Sequence, residues 1–229
     1  MKTYSIFETH AHYDDEAFEP DRDGLLSSLQ GNGIGTVVNV CASVGELGRT
    51  IALTEKYPFV YGAVGVHPDD ADKMTEQTLN EIRELSRREK ILAIGEIGLD
   101  YYWHKEEAAH EIQKKMFRAQ MDIAREEKLP FMIHSRDAAK DTLDIVKEYM
   151  DEGMYGGIIH CFSYGKEMAE QYLNMGLYLG IGGVVTFKNA KKLKEVVEYA
   201  PLEQLVLETD SPYLSPEPNR GKRNSSLNL

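Results

Sequence analysis

Two histidines near the start of the chain, His10 and His12, have the spacing of a metal-binding pair. They follow a short apolar run, Tyr4–Phe7, which predicts the first β-strand. Alternate side chains of a strand lie on the same face, so both imidazoles should point the same way. Imidazole is the most common metal ligand among protein side chains. The pair therefore predicts one part of a metal site whose other ligands come from elsewhere in the chain.

The other candidate residues lie where further predicted strands end. They are His67, Glu96, His134, His160 and Asp210. Five of the seven histidines of the chain fall at strand ends, whereas chance placement would scatter them over helices and loops. This clustering is the strongest indication of function in the sequence.

The chemistry follows from the donor set of His10, His12, Glu96, His134, His160 and Asp210. Four imidazoles and two carboxylates exceed what one four-coordinate ion needs, so we expect two divalent ions, with Glu96 as the bridging ligand. Mixed nitrogen and oxygen donors favour Zn²⁺ or Mn²⁺, and an all-oxygen site would favour Mg²⁺. Such a pair of ions activates water, and phosphoester hydrolysis is its most common use.

The elements that must position these residues alternate between strand-like and helix-like segments. The predicted strands are Tyr4–Glu8, Thr36–Cys41, Val60–Val66, Ile91–Glu96, Phe131–His134, Gly157–Cys161, Leu177–Ile181 and Leu205–Glu208. The predicted helices are Glu76–Glu89, Glu106–Lys128, Asp137–Tyr149 and Asn189–Tyr199. Eight strands alternating with helices indicate an α/β fold with a parallel sheet.

The first turn separates the two ways of arranging such a sheet. A doubly wound sheet that binds a dinucleotide has a glycine-rich turn after its first strand, and the turn here contains no glycine. We therefore predict a (β/α)₈ TIM barrel of the metal-dependent hydrolase type, as one domain over residues 1–229. All strand ends named above would then open onto one face, where barrel active sites are built. Since a barrel normally closes with a helix, and residues 210–223 read as loop, we expect the sequence to stop short of its last helix.

Composition narrows the functional classes. The chain has 26 Lys and Arg against 38 Asp and Glu, a net charge of −12, which argues against nonspecific coating of nucleic acid. Both cysteines, Cys41 and Cys161, lie in apolar runs and are interpreted as reduced thiols of a cytoplasmic protein. The sequence shows neither a signal peptide nor an apolar run long enough to span a bilayer. It also suggests no obligate protein partner.

Six motifs together resemble the TatD family of metal-dependent deoxyribonucleases. They are His10-Ala-His12, Gly-Val-His67-Pro, Ile-Gly-Glu96-Ile-Gly-Leu-Asp-Tyr, Ile-His134-Ser-Arg-Asp, His160-Cys-Phe-Ser and Leu-Glu-Thr-Asp210-Ser-Pro-Tyr. One such motif is a weak signal, but six in this order, from Phe7 to Asn224, are highly specific. The resemblance implies a barrel of the amidohydrolase type and nuclease activity on DNA ends or single strands.

The resemblance also implies how the ligands divide. It assigns His10, His12, Glu96 and Asp210 to one ion and Glu96, His134 and His160 to the other. With Glu96 and Asp210, His67 completes the expected catalytic group: Asp210 would orient or deprotonate the attacking water, and His67 would contact the scissile phosphate.

Further residues are hypothesised to hold the substrate. Arg136 could bind a phosphate oxygen, and the basic run containing Arg220 and Lys222 could bind another phosphate. Tyr101, Tyr102 and Trp103, which follow the Glu96 strand, could stack on a base or pack over the barrel mouth. Each basic group could equally be a solvated or salt-bridged surface residue.

Two other functions stay open at the level of sequence. Barrels of this type share a site and diverge in substrate, so a metal-dependent amide or ester hydrolase is the alternative, for example an aminoacyl-tRNA deacylase. A non-catalytic binding protein on a degenerate barrel is disfavoured, because every expected ligand position is filled.

Overall fold

A computed structural model describes residues 5–229 and shows strands and helices that alternate along the chain. The strands are β1 (Ile6–Ala11), β2 (Ile34–Val40), β3 (Val60–Val64), β4 (Ile91–Asp100), β5 (Phe131–Arg136), β6 (Gly157–Ile159), β7 (Tyr178–Ile181) and β8 (Leu205–Leu207). The α-helices are α1 (Arg22–Leu29), α2 (Leu47–Lys56), α3 (Glu76–Ser86), α4 (Glu107–Glu127), α5 (Ala139–Asp151), α6 (Lys166–Asn174) and α7 (Lys191–Tyr199). Tyr4, the predicted first residue of the first strand, lies outside the described residues.

Each strand pairs in parallel with the next one in the chain, from β1 through to β8. The two ends of this sheet meet through the segment that follows β8. The amide of Asp210 donates to the carbonyl of His10 at 2.9 Å, and the amide of His12 donates to the carbonyl of Ser211 at 2.8 Å. The result is a nearly closed barrel surrounded by helices, which confirms the predicted fold.

Several element boundaries differ from the sequence-based ones. β4 and β5 stay paired beyond Glu96 and His134, with Gly98 opposite His134 and Asp100 opposite Arg136. Glu96 and His134 therefore lie within paired strands, which fixes their backbones more firmly than strand ends would. Helices α1, α2 and α6 were not delineated from sequence; α1 contains Gly24 and two serines, residues with low helix propensity.

Helix α4 supports the barrel through two buried glutamines as well as through apolar contacts. The amide of Gln120 bonds both backbone groups of Val66, and the amide of Gln113 bonds both backbone groups of Asp100. Phe117 packs between them and is buried. These bonds satisfy backbone groups at the carboxyl ends of β3 and β4, where the sheet hydrogen bonding stops.

After β8 the described chain contains a loop and a short 3₁₀ helix, Ser226–Asn228, and no further α-helix. Asn224 ties this loop back by donating to the carbonyl of Thr209 at 2.9 Å. Phe7 and Leu207, on the outer face of β1 and β8, are 47% and 52% exposed. Within residues 5–229, no helix combines the length and apolar character needed to cross a membrane.

A buried carboxylate, Glu8, joins β1 to the segment after β8. Its Oε1 accepts from the amide of Thr209 at 2.8 Å and from the amide of His10 at 3.2 Å, and its Oε2 accepts from the Thr209 hydroxyl at 2.8 Å. Burial raises the pKa of Glu8 to about 7, although the Thr209 hydrogen bonds oppose the shift. The folded chain therefore holds a proton here that the unfolded chain releases.

We expect Glu8→Gln to remove one pH dependence of folding. Between the unfolded pKa of 4.5 and the folded pKa of about 7, the wild type loses stability as pH rises, because folding must take up a proton. The full shift corresponds to roughly 3 kcal/mol. Denaturant unfolding of the metal-free proteins should show the variant gaining stability relative to the wild type from pH 5 to pH 8. A difference that stays constant with pH would contradict a buried, protonated Glu8.

Candidate metal centre

The side chains predicted from the strand ends converge on the carboxylate of Glu96, which is only 3% exposed. Its Oε2 lies 3.3 Å from Nε2 of His10 and 3.6 Å from Nε2 of His12. Its Oε1 lies 2.9 Å from Nδ1 of His134 and 3.4 Å from Nε2 of His160. The two oxygens therefore face two different pairs of imidazoles, as a bridging carboxylate would.

Asp210 completes the first group of donors. Its Oδ1 lies 3.3 Å from Nε2 of His12 and 3.9 Å from the Nε2 atoms of both His10 and His160. Its backbone adopts a left-handed conformation with φ of 55°. Such a conformation is unfavourable for most side chains but tolerated by aspartate, and it is typical of functional positions.

The spacing of these atoms fits a divalent cation. Ligand atoms about 2.1 Å from a tetrahedral ion lie about 3.4 Å from one another. Nε2 of His10 lies 3.2 Å from Nε2 of His12, and both approach Glu96 at 3.3 and 3.6 Å. Around Glu96, two groups of donors have ligand atoms within 4.8 Å of one another, one with His10 and His12 and another with His67 and His134. The residues can therefore hold metal.

Hydrogen bonds to protein acceptors hold the outer nitrogen of two imidazoles, which turns the other nitrogen toward Glu96. Nδ1 of His12 lies 2.7 Å from the Val40 carbonyl, and Nε2 of His134 lies 3.1 Å from Oδ2 of Asp100. Nδ1 of His160 lies 3.1 Å from Oε1 of Glu208, an ion-pair contact without hydrogen-bond geometry. Partners of this kind fix the tautomer and orientation of metal-binding histidines.

The position of Glu208 depends on a neighbouring glycine. A Cβ at Gly180 would lie 2.2 Å from Oε2 of Glu208, so only glycine leaves room for this carboxylate. The amide of Cys161 also donates to Oε1 of Glu208 at 2.6 Å. Space at Gly180 and the Cys161 amide therefore fix the Glu208 carboxylate in position beside His160.

Without a metal, protonated histidines offset the negative charge of the buried carboxylates. Burial disfavours protonation of His12, His134 and His160, but facing carboxylates overcome this and raise their pKa values to about 9, 9 and 10. Burial would raise the pKa of Glu96, yet His160 and the other imidazoles hold it well below its usual value. A cation binding here would displace these protons.

The centre lies at the bottom of a cavity of about 670 Å³ at the carboxyl ends of the strands. His67 and Arg136 line it, and Nε2 of His67 lies 3.7 Å from Oε1 of Glu96. Arg220 and Lys222 are not among the lining residues; the Arg220 guanidinium lies 4.2 Å from the centre of the Phe187 ring. The structure thus brings His67 and Arg136 to the centre and leaves Arg220 and Lys222 outside the cavity wall.

Sequence reasoning overlooked Glu8 as part of this region. It shares a strand face with His10 and His12, two and four residues before them, so the period of two could have revealed it. Sequence reasoning also gave no role to Tyr213, the last residue of the motif around Asp210, which lines the cavity and whose hydroxyl donates to Asp15 at 2.8 Å. No pattern in the sequence pairs Tyr213 with Asp15, because the two lie so far apart in the chain.

If Glu208 orients His160 for a metal, Glu208→Gln should weaken metal affinity about 10- to 100-fold, because an amide binds the outer imidazole nitrogen less strongly. Competition with a chromogenic chelator for Zn²⁺ measures this directly. Glu203→Gln, which changes an exposed glutamate nearby, serves as the matched control and should leave the affinity unchanged. Equal affinities for both variants and the wild type would show that Glu208 serves packing only.

Comparison with known proteins agrees with this geometry. Residues 7–229 match the family model described as TatD related DNase. An uncharacterized metal-dependent hydrolase of Bacillus subtilis, YabD, is 45% identical over 96% of this chain and 85% of its own length. A Salmonella typhimurium protein named 3'-5' ssDNA/RNA exonuclease TatD is 29% identical over 97% of this chain and 85% of its own length.

A solved structure shows the same architecture. The crystal structure of YjjV, a TatD homologue from Escherichia coli, superposes with a TM-score of 0.88 and 28% sequence identity, covering 97% of this chain and 85% of that one. The family model covers nearly the whole chain, and YabD is 45% identical over 96% of it. The chain therefore belongs to the TatD family of metal-dependent hydrolases.

Proposed function

We propose that the protein is a metal-dependent deoxyribonuclease that hydrolyses phosphodiester bonds at the ends of DNA single strands. The observation that carries the proposal is the convergence of four imidazoles and two carboxylates at the bottom of a cavity that Arg136 and His67 also line. The name of the Salmonella relative supports a nucleic-acid substrate. In the reaction, water adds across a P–O bond, leaving a hydroxyl on one fragment and a phosphate monoester on the other.

Two divalent ions, when bound to the donors described above, would lower the pKa of water and offset the negative charge of the reacting phosphate. Asp210 is suited to receive the proton of the attacking water. Burial opposes ionisation of Asp210, but the hydrogen bond with His12 lowers its pKa, so it is a carboxylate at neutral pH. Its position at the cavity, 17% exposed, leaves it accessible to water.

His67 is suited to donate a hydrogen bond to the phosphate. Its Nδ1 accepts from the amide of Asp69 at 3.2 Å, so the proton of the neutral ring is on Nε2, which faces Glu96. Burial and the nearby His134 lower its pKa to about 4, so the ring is neutral at pH 7. A neutral donor can bind a phosphate oxygen without competing with cations for the carboxylates.

Arg136 supplies the positive charge of the cavity wall. Its guanidinium lies 3.9 Å from the centre of the Tyr102 ring, which fixes the plane of the fork. A guanidinium held in this way can bind two oxygens of one phosphate. An enzyme for small neutral amides would have no use for this group, which favours the nuclease over a hydrolase of small amides or esters.

The decisive experiment compares substrates for protein loaded with Zn²⁺, Mn²⁺ or Mg²⁺. We expect single-stranded DNA labelled at one end to shorten one nucleotide at a time, and nicked or circular DNA to react slowly or not at all. Aminoacyl-tRNA and a panel of amides and esters form the comparison. Intact DNA together with cleavage of one of those compounds would exclude the nuclease.

Glu96→Gln tests the shared carboxylate. Since an amide cannot bridge two cations, the variant should bind fewer metal ions and lose DNA cleavage by about a thousandfold or more, in line with loss of a metal that activates water. Metal content measured by mass spectrometry after dialysis gives the stoichiometry. Glu89→Gln, at an exposed position just before β4, is the control. Full retention of two ions by Glu96→Gln would disprove bridging.

The basic run after β8 can be tested separately. If Arg220 and Lys222 each bind a phosphate, the Arg220→Ala, Lys222→Ala double variant should bind single-stranded DNA more weakly. Its salt slope, log Kd against log salt, should be smaller by about 1.4, because each phosphate contact with a single strand contributes about 0.7. Fluorescence anisotropy at several salt concentrations measures it. An unchanged slope would show that Arg220 and Lys222 are solvated surface residues that do not bind phosphate.

A further inference from the structure

Asp100 connects the metal centre to the loop that follows β4. One carboxylate oxygen, Oδ2, lies 3.1 Å from Nε2 of His134. The other, Oδ1, accepts from the amides of Tyr102 at 2.8 Å and Trp103 at 3.2 Å. The same side chain therefore holds a candidate metal ligand and the start of the loop, so Trp103 has a defined position relative to the reacting centre.

The three aromatic residues of this loop have different surroundings. Tyr101 stacks on His110, with ring centres 3.6 Å apart, and its hydroxyl donates to Asp141 at 2.8 Å. Tyr102 has one ring face covered by the guanidinium of Arg136. Trp103 lines the cavity and is nevertheless 65% exposed. Tyr102 is 41% exposed but does not line the cavity, so Trp103 is the ring of the three that is both exposed and placed at the cavity.

An exposed tryptophan at the mouth of a cavity costs hydration free energy unless a ligand covers it. The charge of the chain, −12, repels a polyanion, and among the described residues Arg136 is the one Lys or Arg that lines the cavity. Phosphate contacts outside the metal centre therefore give little affinity. Stacking on an aromatic ring is independent of charge and is worth a large factor per base.

We propose that Trp103 is a stacking platform for one nucleobase of a single-stranded substrate, next to the phosphate held at the metal centre. This inference rests on the proposed function and specifies its substrate: the base must be unstacked, as in a single strand, because inside a duplex the adjoining base pairs cover both of its faces. Arg136, stacked on Tyr102 and 5.5 Å from the centre of the Trp103 ring, binds the adjoining phosphate. The platform gives preference for single strands without reading the base sequence.

Trp103 is the only tryptophan of the chain, so its fluorescence reports on stacking directly. The probe is a short single-stranded oligodeoxynucleotide with phosphorothioate linkages, which slow cleavage, added to the metal-loaded protein. A matched oligonucleotide carries abasic sugars in place of its bases and keeps every phosphate. We expect the first to quench the fluorescence and the second to bind with little quenching.

Substitution then separates stacking from phosphate binding. Trp103→Ala should weaken binding of the normal oligonucleotide about 5- to 150-fold, and binding of the abasic one by no more than about a factor of two. Trp103→Phe keeps an aromatic face and should restore much of the affinity. The salt slope should be the same in all three proteins, because no phosphate contact changes. Tyr155→Ala removes an exposed aromatic side chain, 74% accessible, from the loop between α5 and β6 at the opposite end of the barrel, and is the control.

The outcomes are distinguishable. If wild type and Trp103→Ala cleave and bind the normal oligonucleotide equally, the platform is wrong and the nuclease stands. If Trp103→Ala loses affinity for the normal and abasic oligonucleotides alike, Trp103 acts on the phosphate contact or the loop, and stacking is disproved. If the wild type neither binds nor cleaves any oligonucleotide, the nuclease itself fails, and the platform with it.

Discussion

The buried carboxylate of Glu96 is the constraint on which the rest of the structure depends. A charge so far from solvent requires compensation, and four imidazoles lie within 3.6 Å of its oxygens. Without a metal, His12, His134 and His160 compensate it as imidazolium groups, whereas burial lowers the pKa of His10. Each imidazole comes from a strand whose position is set by the barrel. Several features of the fold therefore act together to place positive charge around Glu96. They are the parallel sheet, its closure through Asp210 and the outer partners of the histidines.

At the boundary between β1 and the segment after β8, the backbone hydrogen bonds that close the barrel are made by residues of the metal centre itself. The amide of Asp210 donates to the carbonyl of His10, and Oδ1 of Asp210 lies 3.9 Å from Nε2 of His10. Glu8, on the neighbouring strand β1, accepts hydrogen bonds from Thr209, the residue before Asp210. A shift of this boundary by one residue would turn both side chains away from the centre, since alternate side chains face opposite sides.

The sequence predicted the barrel and the converging residues because both follow short-range rules: apolar runs of strand length, and polar residues where those runs end. It did not predict that Glu96 and His134 lie within paired strands, since pairing between β4 and β5 depends on residues more than thirty positions apart. The double role of Asp100 and the place of Glu208 behind His160 were open for the same reason. Helix α1 was missed because its glycine and serines give a weak helical pattern, which packing on the barrel overrides.

The two glutamines of α4 hydrogen bond to the backbone at the ends of two strands. Gln120 binds Val66, which follows β3, and Gln113 binds Asp100, the last residue of β4. Val66 precedes His67, and Asp100 holds both His134 and the loop with Trp103. The position of helix α4 therefore determines the geometry of the strand ends: if α4 frayed or slid along the barrel, Val66 and Asp100 would lose their hydrogen bonds. A substitution on that helix, in the layer outside the barrel, would alter turnover without altering a residue of the centre itself.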